Sequence, residues 1–464
     1  MSDNTYIHIR DDVSLVIQDN GVILECKDAP SVKLTRKHLI FLYFICQNLS
    51  IDEQVENISG IFQCAKEESY NQLNTFLNLL KNYCTPSKEK GRNNSFSMLN
   101  IETILRRKDS SRMTERPLVP HTISFALTDS CYMNCIYCYA NAKKSNIKTR
   151  AQVSIDRFKK LVDEAVAIGV SKFELTGGDP FCVENIAEYC EILVKSKIDW
   201  LTSTKAYISS SMANQLEKIG VKKLQVSLDS FNPETVNYLT NRKNGYRVIM
   251  NTIKHLQEHH IAVRIKTVIS SVNIREIPEF VRFLEDNGID EVAFSFYGSL
   301  CGRSNSNLYP KQEDILWLNN QMALLKNKTV MRIDYEGISS DLFTFLESPL
   351  SYKHFFRKKC GASKHRMTIN AKGDMCFCEY LESEKELIIG NIADNSILEL
   401  WNSPVLSDLF NPNKEKFKKS DCFLCELFEN CYERRCFLRS KRRYGTIFDK
   451  DPWCKYGDEY FYEY

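Results

Sequence analysis

Long apolar runs are missing from this sequence. The longest, Leu39 to Cys46, stops far short of the roughly 18 residues that a helix needs to span a bilayer. The opening MSDNTYIHIRDD has no apolar stretch of the kind a secretion signal requires, so a cytoplasmic protein with no membrane partner is expected. One-sided charge is missing too. With 62 Lys and Arg against 59 Asp and Glu, no whole-molecule field draws the chain to nucleic acid or an anionic surface. Histidine is scarce, eight in 464 residues, and none has ligand-like spacing; His259-His260 closes an amphipathic stretch and reads as a solvated helix end. No low-complexity tract interrupts the chain, and with 43% hydrophobic residues it can bury more than one core.

What the sequence holds in excess is cysteine, 18 residues in all. A reducing compartment disfavours disulfides, so metal binding becomes the leading account and spacing decides it.

Three short strands open the chain, Tyr6 to Arg10, Ser14 to Gln18 and Val22 to Lys27, with Asn20-Gly21 as a hairpin turn. Helices follow near Thr35 to Gln47, Asp52 to Phe62 and Glu67 to Tyr83, the pattern of a small winged-helix-like domain. Beyond a polar stretch from Pro86 to Arg116, strand and helix alternate strictly. Six strands are expected: His121 to Leu127, Lys172 to Leu175, Trp200 to Thr204, Lys223 to Leu228, Ala262 to Ile269 and Glu291 to Phe296. Between them, sets such as Phe158, Leu161, Val162, Ala165 and Ile277, Phe280, Val281, Leu284 mark one buried helical face. The fold class is α/β, a parallel sheet curled into a partial (β/α)6 TIM-like barrel with its site at the C-terminal ends of the strands. After Gly302 the alternation stops, and a cysteine-dense region follows that clusters rather than a core would stabilise. The expected divisions are 1–86, a linker 87–118, a core 119–300, a bridging region 301–356 and a cysteine-rich domain 357–464.

Directly after the first barrel strand stands Cys131-x3-Cys135-x2-Cys138. Thiolates are soft anionic donors suited to iron–sulfur clusters, and three of them leave a fourth iron open to bind another molecule; a closed structural zinc site wants four. The spacing, with Tyr137 in the aromatic position, resembles the signature of the radical S-adenosylmethionine (SAM) superfamily. The resemblance implies that Cys131, Cys135 and Cys138 ligate a [4Fe-4S] cluster whose open iron holds SAM, that Tyr137 lies near the adenine, and that one electron cleaves SAM to a 5′-deoxyadenosyl radical. Thr176-Gly177-Gly178-Asp179-Pro180 resembles the family's G-G-E-P element at the SAM amino group, with Asp179 for the usual Glu. Glycines there permit close backbone approach. Ser227 and Asp229 resemble the S-x-D element near the ribose and carboxylate, and Arg242 matches an arginine that holds the carboxylate, with Arg264 as a second candidate.

The distal region resembles a SPASM domain, a carrier of auxiliary clusters: Cys360, Gly373 and Cys378, then Cys422, Cys425, Cys431 and Cys436, then Cys454. In one departure, four residues, Tyr432 to Arg435, precede Cys436 where the pattern has three. The resemblance implies one cluster on Cys422, Cys425, Cys431 and Cys454 and another on Cys360, Cys378 and Cys436, with Cys376 or a substrate thiolate as fourth ligand. A zinc domain is the bland alternative, since paired C-x2-C spacing also serves zinc. Cys26, Cys46, Cys64, Cys84, Cys182, Cys190 and Cys301 read as small core residues, and the basic stretch Arg434 to Arg443 as an offset to anionic clusters.

Residues 1–86 carry seven Lys or Arg against eleven Asp or Glu, which opposes phosphate binding and argues against DNA. Their pattern resembles instead the RiPP recognition element, which binds the leader of a ribosomal precursor peptide as an added strand. Taken together, the resemblances imply a peptide maturase that installs a cross-link, a thioether first and a carbon–carbon bond second, served by a reductant such as flavodoxin or ferredoxin. Formylglycine-forming sulfatase maturation and a zinc-bearing regulator are the competing readings.

Overall fold

The computed structural model describes residues 5–10, 12–18, 21–26, 28–62, 64–90, 117, 119–298, 303, 305–326, 328–335, 361–382, 384–410, 412–426, 428, 435–452 and 454. Cys360 and Cys431, most of the expected linker and residues 336–356 of the bridging region lie outside them.

The first unit contains β1 (Tyr6–Ile9), β2 (Ser14–Gln18), β3 (Gly21–Cys26) and β4 (Ala29–Thr35), then α1 (Arg36–Cys46), α2 (Ile51–Phe62) and α3 (Lys66–Leu79), and closes with β5 (Cys84–Ser87). β2, β3 and β4 form an antiparallel meander, while β1 pairs antiparallel with β5. Two strands exceed the three expected. In β4 the apolar alternation is confined to Val32 and Leu34, behind Pro30. In β5 there is no apolar alternation at all: Pro86, read as the start of a linker, sits opposite Ile7, a place open to proline on an edge strand. Val22, Leu24, Leu34, Leu39, Leu42, Ile58, Leu73 and Phe76 bury an apolar core of this unit's own.

The second unit runs β6 (Thr122–Thr128), β7 (Ser130–Cys131), β8 (Lys143–Lys144), α4 (Ile155–Ala167), β9 (Lys172–Gly177), α5 (Ile186–Ser196), β10 (Asp199–Thr204), α6 (Ser210–Lys218), β11 (Lys223–Ser227), α7 (Pro233–Thr240), α8 (Gly245–Glu258), β12 (Ala262–Ile269), α9 (Ile277–Asp286), β13 (Glu291–Phe296), α10 (Gln312–Lys326) and β14 (Arg332–Asp334). All six expected strands are present, parallel in the order β13-β12-β11-β10-β9-β6, as a partial barrel. β12 shows why: Val263, Ile265, Thr267 and Ile269 are buried in alternation, and α9 covers the sheet with Ile277, Phe280, Val281 and Leu284.

The alternation does not stop at Gly302, as the sequence suggested. α10 and β14 add another unit, β14 pairing parallel with β13; at three residues, that strand is too short to leave a periodic signal. Nor is the cysteine-rich region a separate body. Its β15 (Arg366–Ile369) pairs parallel with β6, and β16 (Asp374–Cys376) and β17 (Ile388–Asn391) extend the sheet antiparallel to ten strands. α11 (Ile397–Trp401), α12 (Pro404–Phe410) and α13 (Phe437–Tyr444) complete the described elements. Phe377, Leu387, Trp401 and Phe437 join the barrel's apolar core, and Trp401 Nε1 donates to the Pro117 carbonyl at 2.8 Å. Among the described residues no helix is long and apolar enough to cross a membrane.

Candidate active site

β6 ends at Thr128, and the loop that follows carries Cys131, Cys135 and Cys138 at the C-terminal end of the sheet. Two glycines hold it there. Gly178 N–H donates to Thr128 O at 2.7 Å and Asp179 N–H to Ser130 O at 2.8 Å. A Cβ on Gly177, whose φ is +129°, would stand 2.2 Å from Thr128 O, and one on Gly178 would stand 2.1 Å from Ser130 O. The close approach expected of this pair is therefore made to the chain's own cysteine loop. Asp179, 2% exposed, is also turned inward: its carboxylate accepts from Thr204 Oγ1 and from the N–H groups of Phe181, Lys205 and Ala206 at 2.8 to 3.1 Å. It binds the end of β9 to the end of β10.

On the far side, the N–H groups of Asn134 and Ile136 donate to Thr240 O and Leu239 O at the end of α7. Arg242 donates from Nη1 to Tyr132 O at 2.8 Å and from Nε to Asn244 Oδ1, and it lines a cavity of about 290 Å³ with Tyr132, Lys148 and Tyr207. Arg264 lies near the opposite end of the sheet, paired with Glu291 and Asp334. Arg303, unforeseen from the sequence, grips the loop at four points. Its Nη1 donates to Cys135 O at 2.9 Å, Nη2 to Ala142 O at 2.8 Å and Nε to Asn141 Oδ1, while its own N–H meets Cys138 O.

Two of the three sulfurs receive backbone N–H groups, Cys131 from Met133 and Cys138 from Ala142. Burial pushes the Cys135 thiol up to about 11 and the Cys131 thiol higher still, so these groups ionise only in exchange for positive charge. Lys205 supplies some of it. Burial lowers its pKa, but the Asp229 carboxylate and the thiols Cys135 and Cys131 more than offset this, and the ammonium stays charged. Lys205 Nζ donates to Tyr137 OH at 2.6 Å and to Asp229 Oδ2 at 2.8 Å, and the Tyr137 hydroxyl donates to the same carboxylate. Asp229 Oδ1 accepts from Val268 N–H. Ser227 and Ser203 bond through their hydroxyls at 3.1 Å. Ser227 closes the adjoining β11, while Tyr137 and Asp229 gather around Lys205, which sequence reasoning passed over. Its signal was its place: Cys131, Gly177 and Ser227 stand at or just beyond the ends of β6, β9 and β11, and Lys205 follows β10 directly.

Among the described residues no three His, Cys, Asp or Glu side chains converge as on a single metal ion. The donor set suits a four-iron cube, in which each thiolate takes its own corner, and the residues here fit that group: three thiols, amides aimed at two of them, and a buried cation beside the loop.

Next to this loop a cavity of about 560 Å³ opens over the inward-facing Ser124, Ala126 and Thr128, passes Gly177 and Gly178, and ends against Glu379 and Tyr380. A second cavity, of about 320 Å³, is lined by Cys378 and Cys436 and shares Thr368, Glu379, Tyr380 and Leu438 with the first. Gly361, beside Cys360 in sequence, lines it as well. Cys376 does not; it is fully buried at the end of β16, its thiol pushed up to about 12 by burial and lying 3.6 Å from Asp374 O. Cys422, Cys425 and Cys454 do not line that cavity either; Cys454 N–H donates to Asp451 O at 2.9 Å, and Lys450 bonds Asp421, next to Cys422, at 2.6 Å.

Residues 125–284 match the family model of the radical SAM superfamily, and residues 360–432 that of SPASM, an iron–sulfur cluster-binding domain. The antilisterial bacteriocin subtilosin biosynthesis protein AlbA of Bacillus subtilis (strain 168) is 26% identical over 341 residues, 70% of this chain and 72% of that protein. A GTP 3′,8-cyclase of Peptoclostridium acidaminophilum is 27% identical over 282 residues, 57% of this chain and 82% of the cyclase. Among solved structures, Streptococcus suis SuiB bound to S-adenosylmethionine superposes with a TM-score of 0.69 at 19% identity, covering 97% of this chain and 99% of SuiB. SuiB bound to its precursor peptide SuiA gives 0.68 at 20% identity, covering 97% and 100%. At these identities the structural likeness carries the fold.

Proposed function

Because the chain is a radical SAM enzyme with a SPASM domain at its C-terminal end, we propose that it matures a ribosomally made precursor peptide by installing a cross-link, a thioether between sulfur and carbon. The observation that carries this reading is that the two cavities adjoin, with Thr368, Glu379, Tyr380 and Leu438 lining both. A substrate side chain in the larger one lies between the Cys131–Cys138 loop and the walls, Glu379 and Tyr380, behind which Cys378 and Cys436 stand. Hydrogen abstraction at one end and electron removal, or capture of a substrate thiol, at the other require that order. The subtilosin biosynthesis protein and the peptide-bound SuiB, as relatives, favour a peptide over the nucleotide of the cyclase branch.

In this reading Cys131, Cys135 and Cys138 hold the SAM-binding cluster, and Cys378, Cys436, Cys422, Cys425 and Cys454 hold the auxiliary clusters together with Cys360 and Cys431. When bound, cluster and SAM supply a single electron and a carbon-centred radical able to take hydrogen from an unactivated carbon. The chain's own residues orient them. Gly177, Gly178 and Asp179 fix the loop, Arg242 and Arg303 clamp its carbonyls, and Tyr137, Asp229 and Lys205 form a charged floor from which bulk water is largely excluded. Residues 1–86 bind the leader, and a flavodoxin or ferredoxin supplies electrons.

The test is anaerobic turnover of the reconstituted protein with a cysteine-containing precursor peptide, sought among short open reading frames near its gene. Production of 5′-deoxyadenosine coupled to a peptide lighter by two hydrogens, with one cysteine blocked to alkylation, is the expected result. SAM cleavage with no change in peptide mass would remove the maturase reading.

A further inference from the structure

The residue that abuts Cys436 in the lengthened Cys431–Cys436 interval is Arg435, and its side chain is 3% exposed. A guanidinium stays protonated under any condition a protein survives, so a full positive charge is fixed inside this domain. It is tightly held. The guanidinium carbon lies 4.5 Å over the Phe417 ring and 5.8 Å from that of Phe437, and Nη2 donates to Ile447 O and, at 3.4 Å, to Ser440 Oγ. Phe437 and Cys436 both line the cavity that also holds Cys378, so the charge stands one residue behind that cavity's wall. Asp451, 1% exposed on its side chain, fixes the same corner: it accepts from Cys436 N–H at 2.9 Å and pairs with Arg439. Burying a charge is costly, and this one is kept in place by the two rings and the acceptors around it.

We infer that Arg435 is a fixed counter-charge that raises the reduction potential of the auxiliary cluster held at Cys378 and Cys436. The inference rests on the reading that these cysteines carry a cluster. Each electron added to a cluster makes it more negative, and a nearby cation in a poorly screened interior stabilises the reduced state. The effect makes this cluster the better electron acceptor, as the oxidative step of a cross-link demands. It also gives the extra residue before Cys436 a function.

The experiment is a redox titration, followed by electron paramagnetic resonance, of the full chain reconstituted with iron and sulfide, as wild type, Arg435→Gln and Arg435→Lys. Gln removes one positive charge whatever else surrounds it, whereas Lys keeps it. For Arg435→Gln one auxiliary midpoint falls, the equilibrium for its reduction weakening about tenfold, which is about 59 mV for one electron. The SAM-binding cluster keeps its midpoint, and Arg435→Lys stays near wild type. Equal shifts in the Gln and Lys variants, or none, would overturn the counter-charge; so would loss of the cluster from both, which assigns Arg435 to folding. Wild-type protein with iron for a single cluster would instead sink the reading beneath it.

Discussion

The ammonium of Lys205 sits between a phenol and a carboxylate with its side chain 12% exposed, against 1% for Asp229. Removing one partner of such a pair leaves the other charge buried, at a cost of about 3 to 5 kcal/mol. Lys205→Met should therefore lower the unfolding free energy measured by urea titration by that much, and adding Asp229→Asn should recover part of it. A single variant as stable as wild type would mean that Asp229 finds other compensation. At the neighbouring strand end the limit is steric. Gly178→Ala forces a carbon to within 2.1 Å of Ser130 O and must displace the cysteine loop, whereas Gly60, with nothing within 4 Å, accepts Ala freely. Iron content per chain after reconstitution should fall in the first variant and hold in the second.

Where elements meet, the joint between β9 and β15 matters most, because it ties the barrel to the SPASM domain. Glu174 on β9 and Arg366 on β15 pair across the intervening β6. Burial alone would raise the Glu174 carboxyl, but Arg366 and Lys172 outweigh it and hold its pKa below the usual glutamate value. A carboxyl depressed on folding contributes stability above its unfolded pKa, about 4.3, and loses it as pH falls through the folded value. The melting-temperature gap between wild type and Glu174→Gln should thus be widest near neutrality and close as pH drops below about 4. A gap that widens on acidification would contradict this.

At the scale of the whole molecule two large apolar cores exist among the described residues, beside a small cluster of Leu239, Tyr297 and Leu308. One is confined to Ile7 through Tyr83; the other runs from Val119 through Ile447 and fuses barrel and SPASM domain. A chain lacking residues 1–90 should keep its fold and its ability to cleave SAM, yet lose modification of the full precursor peptide. Retained peptide modification by the shortened chain would deprive the first unit of its proposed leader-binding role.

The six barrel strands and the cysteine spacings were legible because each is a local pattern: a periodicity of buried residues, or thiols close enough in sequence to fall in one loop. Tertiary structure alone decided which side chains the motifs serve. It turned Asp179 back onto the end of β10, set the two glycines against Thr128 and Ser130, and brought to the loop both Arg303, which no motif marks, and Lys205, one residue beyond an expected strand. It also paired β15 with β6 and left Cys376 outside the cavity of Cys378 and Cys436. Those outcomes depend on contacts between residues far apart in the chain, and no local pattern records which distant carbonyl, carboxylate or strand edge a side chain will meet.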